Sequence, residues 1–355
     1  MNWLWPRLVG AAELLDNVKV NLRKRRNPEE SGASLQGKVC LITGGNAGVG
    51  KATAEAFASR GARVILACRS LQRGAAAAQD VEAVQALPGC SKSGVEVQEL
   101  DLASLDSVRS FAAHFNAAEP QLDVLVCNAG VMAPPKRLQT PDGMEMQFQV
   151  NHLAHWLLLT QLIQGQRARL RRQHTKLRPG SGSGPQGPQV GLRVLLLTSM
   201  THLGGRLDFG DLQAIKSYNG FDRYAASKLA NVLTVKELQR RLDRNPRPDG
   251  GRDVAVAVHP GLVDTTLART WFRNGCPRFL APLGLPILER LFPYCLIPTA
   301  LAAQTVLFAA TAPASQVAGA YVADCRVAKT SRTANDAKLA KRLWDPADPI
   351  VPHIA

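Results

Sequence analysis

A short apolar, β-rich run, Lys38-Val-Cys-Leu-Ile-Thr43, passes directly into Gly44-Gly-Asn-Ala-Gly48-Val-Gly50. Residues of helical composition, Lys51 to Arg60, follow at once. Strand, glycine turn and helix in that order is the context that lets a glycine-rich motif hold a nucleotide. Glycines lack a Cβ, so the backbone can approach a pyrophosphate, and the helix N-terminus offers unpaired N–H groups and a positive dipole end. A second strand, Ala62 to Cys68, comes on schedule after Gly61. Strand and helix then keep alternating. This predicts an α/β fold with a doubly wound, mostly parallel sheet in a single domain.

The end of the second strand discriminates between dinucleotides. An acidic residue there would hold the ribose 2′-hydroxyl of NAD. This chain has Cys68 and then Arg69. No carboxylate repels a 2′-phosphate and a guanidinium is placed to meet one, so the expected cofactor is NADP(H).

Further along, Tyr224-Ala-Ala-Ser-Lys228 puts a phenol and an ammonium four residues apart, on one face of a helix. The positive charge favours the ionised phenol. The pair can then exchange a proton near neutral pH, which neither group does alone.

These motifs, with others in fixed order, resemble the short-chain dehydrogenase/reductase family over most of residues 36–345. Thr43 to Gly50 match its T-G-x-x-x-G-x-G turn, within which Gly44, Asn46, Gly48 and Val49 would touch the cofactor. Asp101-Leu102 follow a third strand, Val95 to Leu100. Asn128-Ala129-Gly130 close a fourth, Leu122 to Cys127. Asn151 sits in Val-Asn-His-Leu-Ala-His, and Thr198-Ser199 end a fifth strand. Pro260-Gly261 with Val263 and Thr265 match the stretch beside the nicotinamide. The resemblance implies a Rossmann-type sheet and hydride transfer between a nicotinamide and a carbonyl or alcohol. It implies Tyr224 as acid/base and Ser199 as the group that polarises the reacting oxygen. Lys228 would depress the Tyr224 pKa and hold the ribose, and Asn151 would anchor a water relay through its backbone.

Within the family, Asn128-Ala-Gly-Val-Met132, Gly205-Arg-Leu-Asp-Phe209 and Ser227-Lys-Leu-Ala-Asn-Val-Leu233 are similar to the retinol-dehydrogenase-like branch. Asp101 to Arg109 and Leu122 to Asn128 also resemble light-dependent protochlorophyllide reductases. That makes a tetrapyrrole reductase the alternative chemistry. A third reading is an NADPH-binding scaffold or redox sensor without turnover, against which the intact Ser199, Tyr224 and Lys228 speak.

Composition bounds the rest. Hydrophobic residues make up 46% of 355, enough for a large core. The seven cysteines contain no C-x-x-C and several lie in apolar strands, which reads as buried thiols in a reducing, intracellular compartment with no metal site. His152 and His155, three apart with no carboxylate or thiol partner, read as packing or surface residues. The net charge of +15 is concentrated in appendages. One is Lys19 with Arg23 to Arg26, and the other runs from Arg167 to Arg178 into the Gly/Pro/Ser-rich stretch 179–188. Segment 165–190 therefore reads as a flexible, solvated insertion, and no nucleic-acid partner is expected.

Residues 1–35 form an N-terminal extension whose broken apolar run suits peripheral membrane contact rather than a span. Residues 262–299, rich in Trp, Phe, Leu and Pro, fall at the family's substrate lid and suggest a small lipophilic alcohol or carbonyl substrate. Residues 346–355 are a tail, and a homodimer is the remaining expected partner.

Overall fold

The computed structural model describes residues 34–86, 93–176, 190–266, 269 and 296–345. Its strands are β1 (Val39–Thr43), β2 (Arg63–Cys68), β3 (Val95–Glu99), β4 (Val124–Cys127), β5 (Val190–Leu197), β6 (Arg252–His259), β7 (Tyr321–Ala323) and β8 (Arg326–Val327). They form one sheet in the order β3-β2-β1-β4-β5-β6-β7-β8. All pairings are parallel except β7 with β8. The chain runs outward from β1 to β3 and then returns to start β4 on the other side of β1. That reversal opens a crevice beyond the strands' C-terminal ends, where open α/β sheets bind ligands.

The central strands are apolar on both faces because helices cover both. One core contains Leu41, Ile65, Leu125, Val194 and Ala255 from the sheet. It packs against α3 (Leu105–Ala118), α4 (Ala154–Lys176) and α5 (Gly220–Arg244). On the other face, Cys40, Ile42, Leu66, Val126 and Val256 pack against α1 (Gly48–Ala58), α2 (Leu71–Gln85) and α6 (Thr299–Thr311). Burying each such aliphatic side chain contributes about 1.5–3 kcal/mol. A last helix, α7 (Ala337–Trp344), is capped by Asp336 and lies along α5. Its Trp344 ring meets Trp156 edge-on at 5.8 Å and receives the Arg241 guanidinium at 5.0 Å.

One expectation about the appendages changes. The basic stretch read as a solvated insertion from residue 165 is helical up to Lys176, as the end of α4. Arginine is a good helix former, and here it also finds partners. Arg167 donates to Asp253 (2.9 Å) and to the Asn245 carbonyl (2.7 Å), and Arg169 donates to the Asn116 carbonyl (2.7 Å). Residues 177–189 lie outside the described residues. So do 1–33, 346–355 and most of the expected lid. The two ends of the lid meet: Ile297 donates to the Leu262 carbonyl and Asp264 to the Ile297 carbonyl, each at 2.9 Å.

Among the described residues no helix is long and apolar enough to cross a membrane. Cys40, Cys68 and Cys127 are buried free thiols, and Cys325 is a half-buried one.

Candidate active site

The C-terminal ends of the strands open on a cavity of about 870 Å³. The turn after β1 forms one wall. The Thr43 hydroxyl accepts the N–H groups of Asn128 (2.9 Å) and Ala129 (3.1 Å). In return, Asn128 Nδ2 donates to the Thr43 carbonyl (2.8 Å). The turn is thereby fastened to the end of β4. Gly44 has φ +65°, and a Cβ there would stand 3.0 Å from the Ala129 Cβ. Gly48, at φ +55°, faces Thr265 across the cleft.

Ala47 precedes α1 and gives it no side-chain cap, whereas Ser70, Ser104, Asn219 and Asp336 cap α2, α3, α5 and α7. The first N–H groups of α1 therefore lack a side-chain acceptor, beside a glycine cradle. That donor set suits a pyrophosphate.

At the far end of this wall stand Cys68, Arg69 and Arg73. Burial pushes the Cys68 thiol pKa up, with Arg73 offsetting part of the rise. Arg73 escaped the sequence reading. It is an ordinary helix-surface residue by composition, and only the turn of α2 begun at Ser70 brings it to the cavity.

The opposite wall carries the hydroxyls. Ser199 follows β5, and its Oγ accepts the Thr201 N–H at 3.2 Å. The hydroxyl hydrogen is left to donate elsewhere. Tyr224 and Lys228 come from α5, and the Lys228 Nζ lies 5.4 Å from the Tyr224 ring centre. Thr198 Oγ1 donates to the Lys228 carbonyl (2.8 Å) and Lys228 Nζ to the Leu197 carbonyl (3.1 Å), which pins α5 to the end of β5. Burial lowers the Lys228 pKa to about 8. The ammonium remains charged at neutral pH and yields a proton more readily than an exposed lysine.

Of the residues expected at the site, Gly44, Asn46, Gly48, Val49, Arg69, Asp101, Leu102, Asn128, Ala129 and Gly130 line the cavity. So do Ser199, Tyr224, Lys228, Pro260, Gly261, Val263 and Thr265. Thr43, Gly50 and Asn151 stand behind the wall instead. Thr43 is fully buried and its hydroxyl is spent on the bonds above. Gly50 provides clearance, since a Cβ there would collide with Asn128 Nδ2 and the Gly44 carbonyl.

Asn151 is fully buried in a π-helical turn, Gln149–Leu153, that leads into α4. Its side chain accepts the Val131 N–H (2.7 Å) and donates to the Val131 carbonyl (2.9 Å) and to Ser227 Oγ (3.0 Å). Its backbone carbonyl, expected to carry a water, is already bonded by Asn231 Nδ2 (3.0 Å) and His155 Nδ1 (3.2 Å).

His152 and His155, read as packing or surface residues, are buried and hydrogen-bonded. His152 Nδ1 bonds Asn231 Oδ1 at 3.2 Å. Burial lowers their pKa values to about 4 and about 3. His259 is likewise lowered to about 3 by burial.

A nucleotide-type turn, an uncapped helix start and a Ser–Tyr–Lys set around one cavity are the arrangement that the resemblance implied. A family model described as short chain dehydrogenase matches residues 38–169. Retinol dehydrogenase 12 of Bos taurus is 40% identical over 88% of this chain and 85% of its own length. The chain belongs to the short-chain dehydrogenase family. Human retinol dehydrogenase 14 is 37% identical over 89% of this chain and 87% of its own length, which places the chain on the retinol-dehydrogenase-like branch of a family of oxidoreductases.

Among solved structures, an uncharacterised protein of Mycobacterium paratuberculosis superposes with a TM-score of 0.61 at 29% identity, over 89% of this chain and 94% of that one. The L-sorbose reductase of Gluconobacter frateurii, complexed with NADPH and L-sorbose, superposes with a TM-score of 0.58 at 20% identity, over 84% and 98%. That likeness concerns the fold.

Proposed function

We propose that this chain is an NADP(H)-dependent oxidoreductase that interconverts a carbonyl and an alcohol on a lipophilic substrate of the retinal, steroid or fatty-aldehyde class. The observation that carries the reading is that Ser199, Tyr224 and Lys228 share one cavity with the glycine turn and with Arg69 and Arg73.

Gly44, Asn46, Gly48, Val49 and the first turn of α1 would hold the pyrophosphate. Arg69 and Arg73 would take the 2′-phosphate, which two guanidinium groups can grip through charge-assisted bonds. When bound, the nicotinamide supplies or accepts the hydride.

The chain's own groups handle position and protons. With its Oγ fixed by the Thr201 N–H, the Ser199 hydroxyl donates to the reacting oxygen and polarises it. Tyr224 gives that oxygen its proton in reduction and removes it in oxidation. Lys228 has one of its three hydrogens on the Leu197 carbonyl, leaving the others for the Tyr224 and ribose side. Met132, Met146, Val150, Phe221 and Leu262 make the lining near the hydroxyls apolar, which favours a lipophilic substrate. The retinol dehydrogenases among the relatives are consistent with that class.

The test is turnover by the purified full chain with NADPH or NADH against retinal, steroid, fatty-aldehyde and quinone substrates. NADPH should be preferred at least about tenfold, and Arg69→Ala/Arg73→Ala should erase most of that preference, about 1.4 kcal/mol per factor of ten. Equal use of NADH by the wild type would overturn the cofactor assignment. Turnover of small polar carbonyls alone would overturn the substrate class.

A further inference from the structure

Behind the cavity, polar groups form a continuous buried network with a direction fixed by chemistry. The Asn151 carbonyl can only accept, so His155 Nδ1 must carry the hydrogen of its 3.2 Å bond. Its Nε2, without a hydrogen in the neutral ring, then accepts the Thr43 hydroxyl at 2.9 Å. The one competing acceptor for that hydroxyl, the Val126 carbonyl, is further away at 3.4 Å. Thr43 Oγ1 in turn accepts the N–H groups of Asn128 and Ala129, at the end of β4.

From Asn151 the network goes on to the catalytic helix. Asn151 Nδ2 donates to Ser227 Oγ (3.0 Å), and the Ser227 hydroxyl donates to the Tyr224 carbonyl (2.7 Å). Thr43, Asn151, His155 and Ser227 are all fully buried. Each bond constrains the next because a buried group that loses its partner has no water to replace it.

We propose that His155 is a positioning residue that couples the nucleotide-binding turn to Asn151 and, through Ser227, to the helix bearing Tyr224 and Lys228. It does not line the cavity that Ser199, Tyr224 and Lys228 share. It holds Thr43 in the rotamer that receives the β4 amides, and it holds the Asn151 carbonyl in place from the other side. This inference rests on the NADP(H) oxidoreductase reading.

The test uses the full chain with His155→Phe, His155→Gln, Thr43→Val and the double variant Thr43→Val/His155→Phe. The readouts are NADPH Kd by fluorescence, kcat and KM with a carbonyl substrate, and thermal unfolding. His155→Phe should weaken NADPH binding and lower kcat by about tenfold each, the scale of one buried hydrogen bond. His155→Gln, whose side-chain carbonyl can still accept the Thr43 hydroxyl, should restore most of the NADPH affinity. The double variant should be no worse than the poorer single one within about threefold, because both substitutions cut the same link.

Unchanged NADPH affinity in His155→Phe, or single effects that multiply in the double, would overturn the coupling and leave His155 a packed core ring. Should His155→Phe not fold, Thr43→Val against Thr43→Val/His155→Gln carries the same test, with a multiplied loss again contradicting the proposal. Wild-type protein that binds no NADPH would overturn the oxidoreductase reading and this inference with it. Wild-type binding that His155→Phe leaves intact overturns this inference alone.

Discussion

The supports under the two sides of the proposed catalytic set differ. Behind Asn151, the polar groups of Thr43, His152, His155 and Asn231 are bonded to one another and to the backbone. Behind Ser199, His202 Nδ1 donates to the Ser199 carbonyl (2.7 Å), but His202 Nε2 and the Thr201 hydroxyl are buried with no protein partner. A buried polar atom left unbonded costs about 1–3 kcal/mol. The Asn151 side is therefore set before any ligand arrives, whereas the Ser199 side keeps unspent hydrogen-bonding capacity in the residues that follow Ser199. Leu197 joins the two, since its carbonyl accepts from both Lys228 Nζ and Asn231 Nδ2.

The largest effect should come from chemistry that neither support supplies. Tyr224→Phe should lower kcat by about 10³-fold or more, with NADPH affinity and unfolding temperature nearly unchanged. NADPH oxidation and a binding titration together check this, and they set the ceiling for both supports.

Next in size is the comparison itself. Asn231→Leu strips a donor from two buried carbonyls and the acceptor from His152, and should cost about 3 kcal/mol. His202→Phe removes a single bond and an already unpartnered nitrogen, and should cost about 1 kcal/mol. Urea unfolding of both variants decides, and the reverse order would break the contrast.

Lys228→Met should abolish turnover yet stabilise the ligand-free chain. The folded pKa, about 8, lies below the ordinary lysine value of 10.5. Below pH 8 the ammonium is charged in both states and its burial penalty is fully present; the penalty fades as pH rises from 8 to 10.5. The gain from Met should be about 3 kcal/mol at pH 7 and vanish above pH 10.5.

The buried histidines on the Asn151 side act in the same sense, in a lower pH window. His152 and His155, at about 4 and about 3, stay neutral in the fold while the unfolded imidazoles protonate below 6.5. The unfolded state then binds more protons, so stability falls as pH drops from 6.5 toward 4. His155→Gln should flatten that fall by about 1.4 kcal/mol per pH unit, measured by unfolding at pH 5 and pH 6.

What could be read from the sequence was what is local or strictly ordered. The β1 strand, glycine turn and α1 announce themselves by adjacent residues, and β2 and β3 fall within a residue of their expected bounds. Tyr224 and Lys228 share a face because helical spacing makes them neighbours. The buried network was hidden because its partners are remote: Thr43 and His155 are 112 residues apart, and His152 and Asn231 are 79 apart. A lone histidine in an apolar helix carries no sign of which distant hydroxyl or amide will meet it. For the same reason Arg167 and Arg169 looked solvated, as the exposed Arg171 and Arg172 are. Asp253, which pairs with Arg167, belongs to a strand that sequence spacing does not bring near.

In the proposed reaction Tyr224 stands where a hydride passes between a nicotinamide and a carbonyl carbon. The most direct measurement supplies NADPH deuterated at the transferable C4 position, together with retinal or a fatty aldehyde, and weighs the alcohol formed by wild type and by Tyr224→Phe. One deuterium is expected on the carbinol carbon with the wild type, and alcohol formed about 10³-fold more slowly or not at all with the variant. Alcohol without deuterium, or equal product from both proteins, would contradict the proposed reaction.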